Sequence, residues 1–189
     1  MFDVFRNYLE KEIHLSDEDY ELIRSHSVIK KLRKHQYLLQ EGDYWSYNAF
    51  VCSGFLRKYT IDEKGNEHTV YFSIENWWTG DRQSLMDKTP STYNIDAVEN
   101  TTVLLIHETN FQLLMQKLPA FKDFINKIFQ RSLSASHERI NATISLSAEE
   151  KYKYFLKKFP KLAGRIPLHM LASYLGMTRE TLSRIRKGA

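Results

Sequence analysis

The sequence predicts an α+β fold: an antiparallel, jelly-roll-like β-barrel, then a long helix, then a C-terminal helix-turn-helix. Between residues 28 and 106, short runs of alternating apolar and polar residues are separated by turn residues at intervals of roughly ten, which is typical of a sandwich or barrel. From residue 108 the apolar positions recur every three or four residues, as in helices. The charge also changes, from 17 basic and 21 acidic residues in 1–149 to 10 basic and 2 acidic in 150–189.

The composition is that of an ordinary globular protein. Of the 189 residues, 42% are hydrophobic and 26% are charged, and no apolar run approaches the roughly 20 residues that a membrane span needs. The first residues do not have the pattern of a secretory signal. The single cysteine, Cys52, cannot form a disulfide within the chain, and a cysteine-held iron–sulfur cluster would need about four ligands. We therefore expect a cytoplasmic protein, with Cys52 as a small buried side chain in a strand.

The barrel is predicted from short strands and the turns between them. Val70, Phe72 and Ile74 occupy alternate positions, and residues 103–106 form a short apolar run. Turn residues cluster at 41–43, 53–54, 62–66 and 87–90. Such a series predicts several antiparallel strands that share one core.

A long helix is predicted from Ala120 to Ser145. It would extend roughly 39 Å at 1.5 Å per residue, which is more than a small barrel needs for cover. Its recurring positions mix small polar with apolar residues, namely Phe121, Ile125, Ile128, Ser132, Ser136, Ile140 and Thr143. That mixture suits a seam between two copies of the chain, so we predict a homodimer. The alternative is a long helix packed only on its own barrel.

Capping boxes mark the starts of two further helices. Ser16 is followed by Asp19, and Ser147 by Glu150, so that an acidic residue stands three positions after a serine cap. Charge and periodicity change together near the second box. We therefore predict a domain boundary near residue 146, with the barrel and the dimerisation helix over 1–146 and a helical domain over 147–189.

The segment from residue 166 to residue 185 is the most informative about function. Ala172, Gly176 and Leu182 stand at the offsets of a helix-turn-helix. A small residue there lets two helices cross closely, a glycine makes the turn, and an aliphatic side chain buries the second helix. Thr178 can cap that second helix. An ordinary helical hairpin is the alternative, and the basic composition of this part of the chain argues against it.

The second helix of this motif would present polar and charged side chains to DNA. Arginine can donate two hydrogen bonds to guanine, and glutamate can accept one from cytosine. Backbone amides and threonine hydroxyls near the helix start suit phosphate contacts. The predicted DNA-binding residues are Thr178, Arg179, Glu180, Thr181, Ser183, Arg184 and Lys187.

Residues 178–184 resemble the recognition helix of the Crp/Fnr transcription regulators, and the resemblance extends over nearly the whole chain. Residues 38–43 and 53–57 are similar to an early barrel turn and the following strand start of that family. The resemblance implies a cyclic-nucleotide-binding-type barrel, a dimerisation helix and a helix-turn-helix, in that order. It also implies roles within the recognition helix: base reading by Arg179, Glu180 and Arg184, and phosphate contact by Thr178 and Thr181.

The ligand pocket departs from the family pattern. Cyclic-nucleotide binders carry a Gly-Glu pair and, further along the chain, an Arg-Ser pair that grips the cyclic phosphate. Here the corresponding residues are Gly80-Asp81 and Ser91-Thr92, so the arginine is missing. Losing a charge-assisted bidentate contact should cost several kcal/mol, so we expect an unknown small ligand other than cAMP, or none. The ligand-binding candidates are Gly80, Asp81, Arg82, Ser91, Thr92 and Ser136.

Enzymatic function is the alternative from another class: a cupin-like ligand-binding or metal-dependent barrel with a helical assembly tail. His68 beside Glu67 is its nearest metal-ligand candidate, and the spacing of the histidines is otherwise uninformative. The sequence contains no P-loop, dinucleotide fingerprint or nucleophile elbow. We therefore expect no enzyme, metal or cofactor.

The expected partners are a roughly palindromic double-stranded DNA operator and RNA polymerase. Only four residues follow Ile185, so we expect no β-hairpin wing after the recognition helix.

Overall fold

The structure is a computed structural model that describes residues 1–160, 162 and 164–188. Its strands are β1 Ser27–Leu32, β2 Tyr37–Leu39, β3 Tyr47–Ser53, β4 Phe55–Ile61, β5 Glu67–Ile74, β6 Trp78–Thr79, β7 Asn94–Ala97 and β8 Thr101–His107. Its helices are α1 Phe2–Glu10, α2 Asp17–Ser25, α3 Arg82–Asp87, α4 Glu108–Lys117, α5 Pro119–Ser145, α6 Ala148–Lys158, α7 Leu168–Leu175 and α8 Arg179–Lys187. Among the described helices, none is both long and apolar enough to span a membrane.

The described strands form two four-stranded sheets with the orders β1-β8-β3-β6 and β2-β7-β4-β5. In the first sheet β8 pairs antiparallel with β1 and β3, and in the second β7 pairs antiparallel with β2 and β4. Apolar side chains from both sheets meet in one buried cluster, which includes Leu38, Ala49, Val51, Leu56, Ile95, Ala97 and Val103. The predicted antiparallel barrel fold is therefore confirmed.

Both predicted capping boxes are formed. Ser16 Oγ accepts from the Asp19 amide at 3.1 Å, and the Asp19 carboxylate accepts from the Ser16 amide at 3.0 Å. At the start of α6 the Glu150 carboxylate accepts from the Ser147 amide at 2.8 Å, and hydrogen bonds from Ser147 lower the pKa of Glu150. Because each box joins residues only three apart, the local sequence was enough to place these helix starts.

Two helices, α1 and α3, were not predicted. In α1, Phe5 and Leu9 are fully buried one turn apart, and Phe5 packs against Phe50 with ring centroids 4.8 Å apart. The helix has no side-chain cap at its start, so the sequence carries no start signal for it. Helix α3 has six residues after its Asp81 cap, too few to show a helical period in the sequence.

The chain divides into two compact units. The first comprises residues 1–60 and 71–128, and the second comprises 61–70 and 129–189. The tip of the β4–β5 hairpin therefore groups with the second half of α5 and the C-terminal helices. The predicted domain boundary between 146 and 147 falls between α5 and α6 and stays a prediction.

Candidate nucleic-acid interface

Helices α7 and α8 are joined by a tight turn at Gly176. This glycine adopts the left-handed conformation, with φ 66° and ψ 39°, and its amide donates to the Ser173 carbonyl at 3.1 Å. The next amide, of Met177, donates to the Ala172 carbonyl at 3.0 Å. A Cβ at position 176 would meet nothing within 4 Å, so the backbone conformation rather than crowding favours glycine here.

Apolar side chains hold the two helices together. Ala172 and Leu171 on α7 are buried, and Leu182 on α8 is fully buried. Pro167 has an extended ψ of 138° and is the N-cap of α7. The predicted roles of Ala172, Gly176 and Leu182 are as found, so this segment is a helix-turn-helix.

Thr178 caps α8, as predicted. Its hydroxyl accepts from the Thr181 amide at 3.2 Å and lies 3.1 Å from the Thr181 hydroxyl. The amides of Arg179 and Glu180 precede the capped amide at the helix start. A helix start of this kind favours an anion, because the first amides of a helix have no partner within it.

A shallow groove of about 450 Å³ runs along α8. It is lined by Arg179, Glu180, Ser183, Arg184 and Lys187, which are five of the seven predicted DNA-binding residues. The four charged side chains are exposed, and none of them makes an ion pair with another residue that the structure describes. Their hydrogen-bonding groups are therefore available to a ligand outside the chain. The lining carries three positive charges and one negative charge. It therefore favours a polyanionic ligand that also offers hydrogen-bonding base edges.

Two ligand-binding candidates of the barrel meet in its interior. Asp81 is buried and caps α3, with its Oδ1 accepting from the Gln83 amide at 3.2 Å. Its Oδ2 accepts a hydrogen bond of 2.7 Å from Ser91 Oγ. Ser91, which stands at the sequence position of the family arginine, therefore bonds directly to the acid of the first pair.

Lys58, which sequence reasoning missed, lies beside Asp81. Its Nζ donates to the Gly80 carbonyl at 3.2 Å, lies 3.8 Å from Asp81 Oδ1, and lies 3.8 Å from the centroid of the Tyr93 ring. Burial lowers the pKa of this ammonium group, although Asp81 opposes the shift. Gly80 is required because a Cβ there would lie 2.5 Å from Trp45 Nε1.

The other three ligand candidates lie in different surroundings. Arg82 Nε is 3.4 Å from Met86 Sδ, along the same short helix. Thr92 is exposed at a bend. Ser136 is exposed on α5, and its hydroxyl donates to the Ser132 carbonyl of its own helix at 2.9 Å. The assignment of all six ligand-binding residues stays a prediction.

A buried ion pair also escaped the sequence reasoning. Arg57 on β4 and Asp96 on β7 are directly opposite in the sheet. The guanidinium Nε donates to Asp96 Oδ1 at 3.1 Å, and its Nη2 donates to Oδ2 at 2.9 Å. The same guanidinium lies 3.9 Å above the Tyr59 ring. A charged residue within each of two predicted strands was the available signal, but the register that pairs them cannot be read from the sequence.

The histidine that the enzymatic alternative needed lies at the hairpin tip. His68 Nε2 is 2.9 Å from Asp62 Oδ2. Within the described ranges, no three histidine, cysteine, aspartate or glutamate side chains come together as a set that could hold a metal ion. In this structure, His68 is part of the hairpin tip.

The barrel, the long helix and the helix-turn-helix together define a class of protein: a cyclic-nucleotide-binding fold with a C-terminal helix-turn-helix. The family profile described as "Cyclic nucleotide-binding domain" matches residues 29–118. The solved structure of FixK2 from Bradyrhizobium japonicum superposes with a TM-score of 0.74 at 18% identity, covering 86% of this chain and 83% of that one. This likeness supports the fold.

Sequence relatives within that class are named as regulatory proteins. Regulatory protein HlyX of Actinobacillus pleuropneumoniae is 26% identical over 184 residues, covering 88% of this chain and 75% of that protein. The fumarate and nitrate reduction regulatory protein of Vibrio cholerae is 26% identical over 167 residues, covering 82% of this chain. The chain spans 66% of the length of that second relative. The domain match and these two regulatory proteins confirm the resemblance of the chain to the Crp/Fnr transcription regulators.

Proposed function

We propose that the chain is a sequence-specific DNA-binding transcription regulator that acts as a homodimer. The observation that carries this proposal is the set of exposed side chains on α8, which have no ion-pair partner among the described residues. Arg179 and Arg184 offer donors suited to guanine, and Glu180 offers an acceptor suited to cytosine. The two relatives above are named as regulators, and our proposal includes no catalytic activity.

The proposed dimer seam is one side of the second half of α5, which Ser145 and Asn141 do not share. Leu133, Ile140 and Ile144 are 59%, 56% and 80% exposed there. They are spaced seven and four residues apart, which places them along one side of a helix. A two-fold dimer would direct two recognition helices into successive major grooves about 34 Å apart, so the operator should be roughly palindromic. If the regulator is an activator, contact with RNA polymerase belongs to the same proposal, because activation needs such a surface.

We further propose that DNA binding does not depend on cAMP. In the barrel the Asp81 carboxylate is buried, and Ser91 rather than an arginine stands beside it. A phosphate placed there would face this carboxylate without the family guanidinium, and the Lys58 ammonium nearby already lies 3.8 Å from Asp81 Oδ1 and donates to the Gly80 carbonyl. Any effector should therefore be a small molecule of another kind.

Selection from a random pool of DNA duplexes tests the whole proposal. Purified protein at physiological salt, without added ligand, should enrich a two-fold symmetric motif. Parallel selections with cAMP and with cell extract identify any requirement for an effector. Enrichment only in the presence of cAMP would contradict the proposal on the effector, and no enrichment in any of the three would contradict DNA recognition.

Substitutions on α8 test the assignment of base reading. Arg179→Ala should lose discrimination at one base pair, by about 1–3 kcal/mol, because a base-specific donor is removed. Lys187→Ala should weaken binding to all duplexes alike and lower the salt dependence by about one phosphate contact. Competition binding against single-base variants of the selected site measures both effects.

Arg186→Ala is the matched control for loss of one positive charge, because Arg186 is exposed on α8 but does not line the groove. It should lower the overall affinity and leave the base preference unchanged. Equal losses for Arg179→Ala and Arg186→Ala, with the same base preference in both, would show that the assignment of Arg179 is wrong.

A further inference from the structure

The outer edge of β5 makes a specific contact with the helix-turn-helix. β5 is the last strand of its sheet, so one side of its backbone has no neighbouring strand there. Ser173 of α7 meets this edge: its Oγ donates to the Glu67 carbonyl at 2.9 Å and accepts from the Thr69 amide at 2.8 Å. One hydroxyl thus satisfies an acceptor and a donor that are two residues apart on the strand.

A second contact joins the same strand to the long helix. Arg139 of α5 donates from Nη1 to the Val70 carbonyl. Its guanidinium also lies 4.2 Å above the ring of Tyr174, the residue after Ser173. The hairpin tip, the second half of α5 and the first helix of the helix-turn-helix therefore meet within one compact unit.

The hairpin tip is an ordered surface for this contact. The Asp62 carboxylate accepts from the Asn66 amide at 2.8 Å, the Lys64 amide at 2.9 Å and His68 Nε2 at 2.9 Å. The Gly65 amide donates to the Asp62 carbonyl at 2.9 Å. Because these bonds fix the turn, the edge offered by residues 67–70 is organised by the hairpin itself.

A restraint on α7 is also a restraint on the recognition helix. Ser173 stands three residues before the turn glycine, and the Met177 amide is bonded to the Ala172 carbonyl. Leu182 is fully buried, which joins α8 to its neighbours in the helical unit. A tilt of α7 would therefore carry α8 with it.

We propose that Ser173 is a positioning residue for DNA binding, which holds the helix-turn-helix against α5 through the edge of β5. The inference rests on the proposed function. In a dimer joined through α5, this restraint would keep two recognition helices at the separation that a palindrome requires. Such pre-organisation raises affinity by reducing the orientational freedom lost on binding. It raises the effective concentration of the second helix at its half-site without adding a contact to DNA.

The test compares a full palindrome with an isolated half-site, using the motif recovered by selection. Ser173→Ala removes both hydrogen bonds to β5. We expect about a tenfold loss of affinity for the palindrome and no change for the half-site, because only the effective concentration of the second helix falls. In the same variant, hydrogen exchange of the Thr69 amide should become faster, since its acceptor is lost.

Two control variants separate positioning from folding. Ser173→Thr keeps a hydroxyl at this position and should restore both the palindrome affinity and the protection of the Thr69 amide. Ser145→Ala removes another serine hydroxyl from the same unit, one that is bonded within its own helix to the Asn141 carbonyl. It should leave palindrome affinity and Thr69 exchange at wild-type values.

The positioning role of Ser173 can be overturned in three ways. Equal losses on palindrome and half-site in Ser173→Ala would show that the serine supports recognition by α8 itself, and would overturn the positioning role. Wild-type affinity for both the palindrome and the half-site would overturn it as well. A wild-type protein with no preference for the palindrome would instead overturn the proposed dimeric DNA recognition and this inference with it, whatever the exchange rate of Thr69.

Discussion

Arg57 and Asp96 form an ion pair inside the first unit, with side chains only 4% and 9% exposed. Removing one partner of such a pair leaves an uncompensated buried charge, which costs about 3–5 kcal/mol. We therefore expect Asp96→Ala to lower the free energy of unfolding by about 3–5 kcal/mol in urea denaturation. The double variant Arg57→Met with Asp96→Leu removes both charges and should be much closer to the wild type. A loss below about 1 kcal/mol for Asp96→Ala would mean that the pair behaves as a surface ion pair.

Cys52 should be chemically inert in the folded protein. Burial raises the pKa of its thiol to about 11, so the reactive thiolate is scarce at neutral pH. In the unfolded chain the pKa of a cysteine is about 8.5. The contribution of this thiol to the free energy of unfolding is therefore complete below that pH and is lost as the pH rises through the pKa of the folded state. Iodoacetamide at pH 8 should therefore modify Cys52 in urea but not in native buffer. Equally fast modification in both would contradict the burial of this thiol.

Local polar contacts were predictable from the sequence, whereas distant ones were not. The caps of Ser16, Ser147 and Thr178 each involve a residue three positions away, and all three were predicted. Ser173 and Glu67 are 106 residues apart, and Arg57 and Asp96 are 39 apart. Which distant residues meet depends on strand register and helix packing, which a single sequence does not specify.

At the scale of the elements, the turn between α7 and α8 allows the free-energy cost of a single positive φ to be measured. Alanine at position 176 would meet no steric obstacle but would have to adopt a positive φ. We expect Gly176→Ala to cost about 1–2 kcal/mol, measured by urea denaturation, because the left-handed conformation is unfavourable for residues with a Cβ. Gly176→Asn should cost less, since asparagine tolerates this region better. A neutral Gly176→Ala would show that the turn can be made in another way.

The two halves of the long helix have different surroundings. Its first half is buried within the first unit, where Phe121 packs against Phe111 with ring centroids 5.7 Å apart. Its second half exposes Ile140 and Ile144. Periodicity predicted the helix almost to the residue, since it marks every apolar position on one side. It could not show which of those positions a barrel would cover, and the short helices α1 and α3 lacked the length or the cap that would have marked them.

At the scale of the whole molecule, the exposed half of α5 predicts a dimer that a single charge should disrupt. Ile140→Glu would place a carboxylate at the seam, where burial without a partner is costly. We expect at least about a tenfold weaker dimer in sedimentation equilibrium, with α-helical content by circular dichroism unchanged. The matched control is Asn141→Glu, which adds the same charge at the next exposed position and should leave the dimer intact. If Ile140→Glu stays dimeric at wild-type concentrations, the seam lies elsewhere.

The division of the chain into units also determines which parts of the protein can be separated by truncation or proteolysis. The polypeptide passes between the two units three times, at residues 60–61, 70–71 and 128–129. A fragment starting at residue 129 would retain the recognition helix and lose the strand edge that receives Ser173. Proteolysis at a single site would therefore not release the second unit whole. The insertion of a barrel hairpin therefore adds two backbone connections between the units to the one that runs through α5.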